Sequence, residues 1–283
     1  MEEKIIRFHI FRYHLLPLES HASQGDLFQE RVSPDDARKN KNIYFRSVID
    51  NLITNNPTKF PLQLQDKEND YFLFKLAQKK SETIIQNFKN IEIPNEPFVY
   101  VIINNDPKVQ KIAISENIDA FTSTTVVRNH LRKFFQTQLK EYNLNIEIEQ
   151  LFDSNNFWNF VNSHQDEITY INFQFIKPNL ADISKSLPKV FKNFSDNVNS
   201  HESHITIKAP SNGKLENINK KNEDINGLVN YTSEGAGEIK VKVKGLRKQL
   251  NTKDSPVIIE IKDILLEGPA DQVIKVYQTI VND

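Results

Sequence analysis

Apolar and polar positions alternate in the first readable segment. Ile6, Phe8 and Ile10 interleave with Arg7, His9 and Phe11, which predicts a strand over residues 4–14. Ser33-Pro34-Asp35-Asp36 is a helix start, with Ser33 as N-cap and Pro34 at the first helical position. That helix should run to about residue 54, burying Ile43, Val48 and Leu52, and Asn55-Asn56-Pro57 should end it. Residues 71–76 read as a strand, 84–88 as a short helix or a continued strand, and 90–97 as a linker with two prolines. Residues 98–103 and 109–114 flank Asn104-Asn105-Asp106-Pro107 and read as a hairpin. The clearest helix spans 119–140, with Val127, Leu131, Phe134 and Phe135 on one face.

Further on, the pattern predicts strands over 144–151, with Ile146 and Ile148 on one side, and 168–176, and a short helix over 155–161. A helix over 181–198, irregular at Pro188, and a short strand over 204–208 follow. Residues 209–224 are polar and read as a mobile loop with a turn at Pro210-Ser211-Asn212-Gly213. Helical residues 226–231, a strand over 257–266 and a helix over 269–281 complete the expectation. This irregular interleaving predicts an α+β fold of mixed, largely antiparallel sheets with packed helices. Two subdomains are expected, residues 1–177 and 178–283, divided at Lys177-Pro178.

The sharpest alternation is Glu238-Ile-Lys-Val-Lys-Val-Lys-Gly-Leu-Arg-Lys248. Ile239, Val241 and Val243 should face a core, and Lys240, Lys242 and Lys244 the other side, with Arg247 and Lys248 following. From residue 239 to 253 there are six basic residues and no acidic one. Such a row is either a solvated strand face that also discourages edge pairing, or a track for phosphates read by charge alone. A second basic group lies on the polar face of the 119–140 helix, where Arg128, Arg132 and Lys133 gather and Gln136 extends the stripe by a turn. Lys75, Lys79 and Lys80 form a weaker third patch.

Composition narrows the classes. The 283 residues carry a net charge of -1, so attraction to a polyanion must be local. With 19 Phe and 38% hydrophobic residues the chain can build substantial cores. No Cys is present, which excludes disulfides, thiolate metal sites and Cys nucleophiles. The first residues lack the apolar stretch of a secretory signal, and no apolar run is long enough to span a bilayer, so a cytoplasmic protein is expected.

No catalytic motif is evident, and neither a metal nor a cofactor is expected. Glu260-Ile-Lys262 is half of a metal-dependent nuclease pattern, with no suitable upstream Asp to complete it. His201 and His204 form the sole close His pair, without a third ligand. Thr122-Ser-Thr-Thr125 reads as a helix cap that could also help hold a phosphate. Ser233-Glu-Gly-Ala-Gly237 lacks the following Gly-Lys-Ser/Thr of a nucleotide loop and reads as a turn whose backbone could close on a phosphate.

The order of Asn51-Leu-Ile-Thr-Asn-Asn56, Tyr71-Phe-Leu-Phe-Lys75, Lys80-Ser-Glu-Thr-Ile-Ile85, Phe98-Val-Tyr-Val, Thr122-Ser-Thr-Thr125 and Asn145-Ile-Glu-Ile-Glu-Gln150 resembles that of the RexA-like exclusion proteins of lambdoid prophages. It is also similar to the KwaB effectors of Kiwa-type phage defence. The likeness covers about residues 40–210 and rests on order and spacing. It implies a homodimeric DNA-binding protein of bacterial phage exclusion that works with a separately encoded membrane partner, and it carries over no catalytic residues. The expectation is therefore DNA binding without sequence preference, through Lys240, Lys242, Lys244, Arg247, Lys248, Arg128, Arg132 and Lys133. A nuclease using Glu260 and Lys262, or an interaction module whose basic strand pairs with an acidic partner, are the alternatives.

Overall fold

Residues 5–18, 32–56, 58–177, 183–198, 200–262 and 266 are described by a computed structural model, and they form a mixed α+β fold. In chain order the elements are β1 (Ile5–Pro17), α1 (Pro34–Asn55), β2 (Leu62–Glu68), β3 (Tyr71–Ala77), β4 (Lys80–Gln86) and β5 (Lys89–Asn95). Then come β6 (Phe98–Asn104), β7 (Lys111–Ser115), α2 (Thr124–Leu139), β8 (Leu144–Gln150), α3 (Ser154–Ser163) and β9 (Ile168–Ile176). α4 (Lys189–Asn197), β10 (Glu202–Lys208), α5 (Glu223–Tyr231), β11 (Gly237–Val243), β12 (Leu250–Asn251) and β13 (Ile258–Lys262) follow. The expected helix over 269–281 and Pro178 lie outside the described residues.

The chain divides into two compact units: residues 1–9, 15–147 and 258–283, and residues 10–14 and 148–257. This division differs from one at Lys177-Pro178. The reason is sheet pairing: β9, before Lys177, hydrogen-bonds to both β10 and β11, after it.

The first unit is built on the sheet β13-β1-β7-β6-β3-β2, with β8 also paired to β1. β6 and β7 are buried along nearly their whole length, so they read as continuous apolar runs rather than alternating ones. α1 starts where expected, with the Ser33 hydroxyl accepting from the Asp36 amide at 3.1 Å. Its buried stripe is Ala37, Phe45, Val48, Ile49 and Leu52. Ile43 is 63% exposed, against expectation, because it lies two residues from Phe45 and hence on the opposite face. α2 begins at Thr124, not 119, since Ser123 caps it by accepting from the Val126 amide. Val127, Leu131, Phe135 and Leu139 repeat every fourth residue and are buried, whereas Phe134 is half-buried. Phe45 meets Phe135 edge-on at 5.0 Å, joining α1 to α2.

The segment read as a linker at 90–97 is instead strand β5, paired with β4 in a separate two-stranded hairpin. Both strands are exposed, so Pro94 removes no buried hydrogen bond. Asn87 and Phe88 turn the hairpin at φ 52° and 65°, as a two-residue type I′ turn requires. Phe88 is completely exposed there.

The second unit carries the antiparallel sheet β10-β9-β11-β12. One face of it is buried by Ile171, Phe173, Phe175, Ile239, Val241 and Val243, against Phe157, Trp158 and Val161 of α3 and Ile225, Leu228 and Val229 of α5. The Tyr231 hydroxyl donates to the Ile176 carbonyl at 2.8 Å, so this core ring leaves no polar atom stranded. The 209–224 segment is not simply a polar loop. Leu215 and Ile218 enter the same core, and the expected turn is closed by the Gly213 amide on the Pro210 carbonyl at 2.9 Å. Among the described residues, no helix is long and apolar enough to cross a membrane.

Candidate nucleic-acid interface

β11 forms as its alternation dictates. Ile239, Val241 and Val243 are buried, Lys240 is half-exposed, and Lys242 and Lys244 are exposed. Arg247 and Lys248 lie exposed beyond the strand, past Gly245 at φ 83°. β11 is an interior strand. Its Lys240–Val241 backbone pairs with β12 on one side and β9 on the other, so strand addition by a partner is closed to that stretch.

The cations in the row are not equivalent. The Lys240 ammonium pairs with Glu238, whose side chain is buried two residues earlier on the same face. Lys253 also reaches Glu238, at 3.1 Å, and Glu149 at 3.4 Å. Lys248 pairs with Asp254 at 2.9 Å. Burial acts to raise the Glu238 carboxyl's pKa, but the hydrogen bonds and charges of Lys240 and Lys253 outweigh it and hold it below the usual carboxylate range.

Lys242, Lys244 and Arg247 have no carboxylate partner among the described residues. Sheet register adds another cation to them. Lys242 stands opposite Tyr170 on β9, and Tyr170 stands opposite Lys208 on β10. The row across the open face is thus Lys208, Tyr170, Lys242, with the Lys242 ammonium 5.1 Å from the Tyr170 ring centre. Lys208 is exposed and has no carboxylate partner among the described residues either. One step along the strands lies a second row of Thr206, Asn172, Lys240 and Asn251. In it the Asn172 amide donates to Thr206 at 2.7 Å. Asn172 is buried and Asn251 donates to Glu238, so this second row is held within the fold, whereas the cations and the ring of the first row are groups that grip a sugar–phosphate chain and stack a base.

The helical group has a different role. Arg132 pairs with Glu147 at 3.0 Å, and Gln136 donates to the Ile146 carbonyl at 3.0 Å, so this stripe ties α2 to β8. Arg128 is half-exposed and Lys133 exposed. These residues belong to the first unit and the basic strand to the second. In the third patch, Lys75 lies over the Phe98 and Tyr100 rings.

The remaining candidates have structural partners. Residues 232–236 form a π-helical turn in which Thr232, Gly235 and Ala236 are buried. The Arg12 side chain donates to the Glu234 carbonyl and carboxylate, and His14 contacts the Gly235 carbonyl at 2.8 Å. A Cβ on Gly235 would lie 2.6 Å from that of Arg12, and one on Gly237 would lie 1.9 Å from the Gln174 carbonyl oxygen. Close packing, not a phosphate, accounts for these glycines. Glu260 pairs with Arg7 at 3.3 Å. His204 contacts Glu202, and no group of three or more metal-ligating side chains occurs among the described residues. No protein-family model and no curated protein sequence matches the chain, so the functional reading rests on the chain's own residues.

Proposed function

We propose that this protein acts in the cytoplasm and binds DNA without sequence preference through the open face of its four-stranded sheet. The observation that carries the reading is the Lys208–Tyr170–Lys242 row, with Lys244 and Arg247 following it in the chain beyond the end of β11, and none of these cations has a carboxylate partner among the described residues. Lysines at this spacing neutralise phosphates and release counterions, and nothing in the row reads base edges. Tyr170 favours a single strand over a duplex, because only an unstacked base can lie on a ring. The setting in phage exclusion, the homodimer and the membrane partner are supported by the order of landmarks between residues 40 and 210.

The test is fluorescence anisotropy with a labelled oligothymidylate and a duplex of arbitrary sequence at low salt, with and without Mg²⁺. Both should bind, the single strand more tightly, and both should remain uncut. Absence of binding to either would overturn the proposal. Cleavage only with Mg²⁺ would move the reading to the nuclease.

A further inference from the structure

A cavity of about 320 Å³ opens on the first unit, between the end of α1, the α1–β2 connection, β3 and α2. It falls at the small end of the ~300–1,000 Å³ range of ligand pockets. Its walls are apolar: Leu52, Phe60, Leu76, Leu131 and Phe134. Its charged lining is Lys59 and Lys133, with the His130 imidazole beside them, and among the described residues no Asp or Glu lines it.

The details point to an anion. The Lys59 ammonium lies 5.3 Å from the Phe60 ring centre, and the His130 ring is 4.8 Å from the same ring. The His130 pKa is lowered by burial and then by the charges of Lys59 and Lys133, so both lysines act on this one imidazole. Neither lysine has a carboxylate partner among the described residues. The two cations beside an apolar hollow repel one another and concentrate positive potential inside it, and the lowered His130 pKa favours the neutral imidazole there. An anionic head would relieve that repulsion while an apolar body filled the hollow.

We infer that this cavity binds a small amphipathic anion, with its head between Lys59 and Lys133 and its apolar body against Phe60, Leu131 and Phe134. The residues that line it all belong to the first unit, and those of the sheet face to the second. Calorimetric titration with decanoate tests it, with 1-decanol as the uncharged probe of equal chain length. Decanoate should bind saturably and decanol at least about tenfold more weakly. Lys59→Gln and Lys133→Gln should each weaken decanoate roughly tenfold, as expected for a lost charged hydrogen bond. Thr137 lines the cavity on the exposed side of α2, so Thr137→Trp should place a ring in the hollow without disturbing the core and abolish binding. Melting by circular dichroism confirms that each variant is folded. No saturable decanoate binding, equal binding of decanol, or a Thr137→Trp protein that binds like the wild type would overturn the inference.

Discussion

Lys240 sits mid-row on β11, yet its ammonium is engaged by Glu238 and it is half-exposed. Glu238 therefore divides the row into cations held for the fold and cations open to a ligand. Glu238→Gln removes the carboxylate that pairs with Lys240 and one of the two that pair with Lys253, and should cost about 1–3 kcal/mol. The folded-state pKa of Glu238 lies below its ordinary value. Its contribution is thus complete above the ordinary carboxylate range and is lost as the pH falls through that range toward the lower folded value. Chemical denaturation of the wild type and Glu238→Gln should show a gap that is open at pH 7 and closes toward pH 3. A gap independent of pH would contradict the ion-pair account. The same substitution should raise DNA affinity a few-fold at pH 7 by freeing Lys240, since Lys253 keeps Glu149, and anisotropy measures it.

At the scale of elements, alternation was legible wherever a strand has one wet face. β8 buries Leu144, Ile146 and Ile148 and β11 buries Ile239, Val241 and Val243, as a period of two selects, whereas β9 buries Asn172 along with Ile171, Phe173 and Phe175. In helix α1 the apolar pattern misplaces Ile43, which does not share the face of Val48 and Leu52 because helical spacing turns it to solvent. β2 and β5 were missed because they are mostly exposed strands with weak apolar patterns, and Pro94 argued against the second. For the site, the lysines of β11 were legible, but Lys208 and Tyr170 were not. They join Lys242 only through register across three strands, which no local pattern encodes. The Glu238 pairing did leave a signal, since Glu238 and Lys240 are two apart and so share a face. The hairpin of β4 and β5 yields a separate prediction. A Phe at positive φ is strained by roughly 1–3 kcal/mol, so Phe88→Gly should stabilise the hairpin by about that amount. Slower amide exchange at residues 84–91 would report it, and unchanged or faster exchange would speak against a strained turn.

Over the whole molecule the net charge is -1, so binding to a polyanion must come from a local face, and the salt dependence of binding counts how many of its cations act. Four cations on the four-stranded sheet or just beyond β11, Lys208, Lys242, Lys244 and Arg247, are exposed and have no carboxylate partner among the described residues. Four phosphate contacts on a single strand correspond to a slope of log K against log salt of about -2.8. Lys208 and Lys242 supply two of the four, whereas Lys240 is engaged by Glu238. The most direct measurement is therefore the salt slope of oligothymidylate binding for three proteins: the wild type, Lys208→Gln/Lys242→Gln, and Lys240→Gln. The account predicts a slope that falls from about -2.8 to about -1.4 in the double variant and stays near the wild-type value in Lys240→Gln. An unchanged slope in the double variant, with all three proteins folded, would show that the open sheet face does not hold the phosphates.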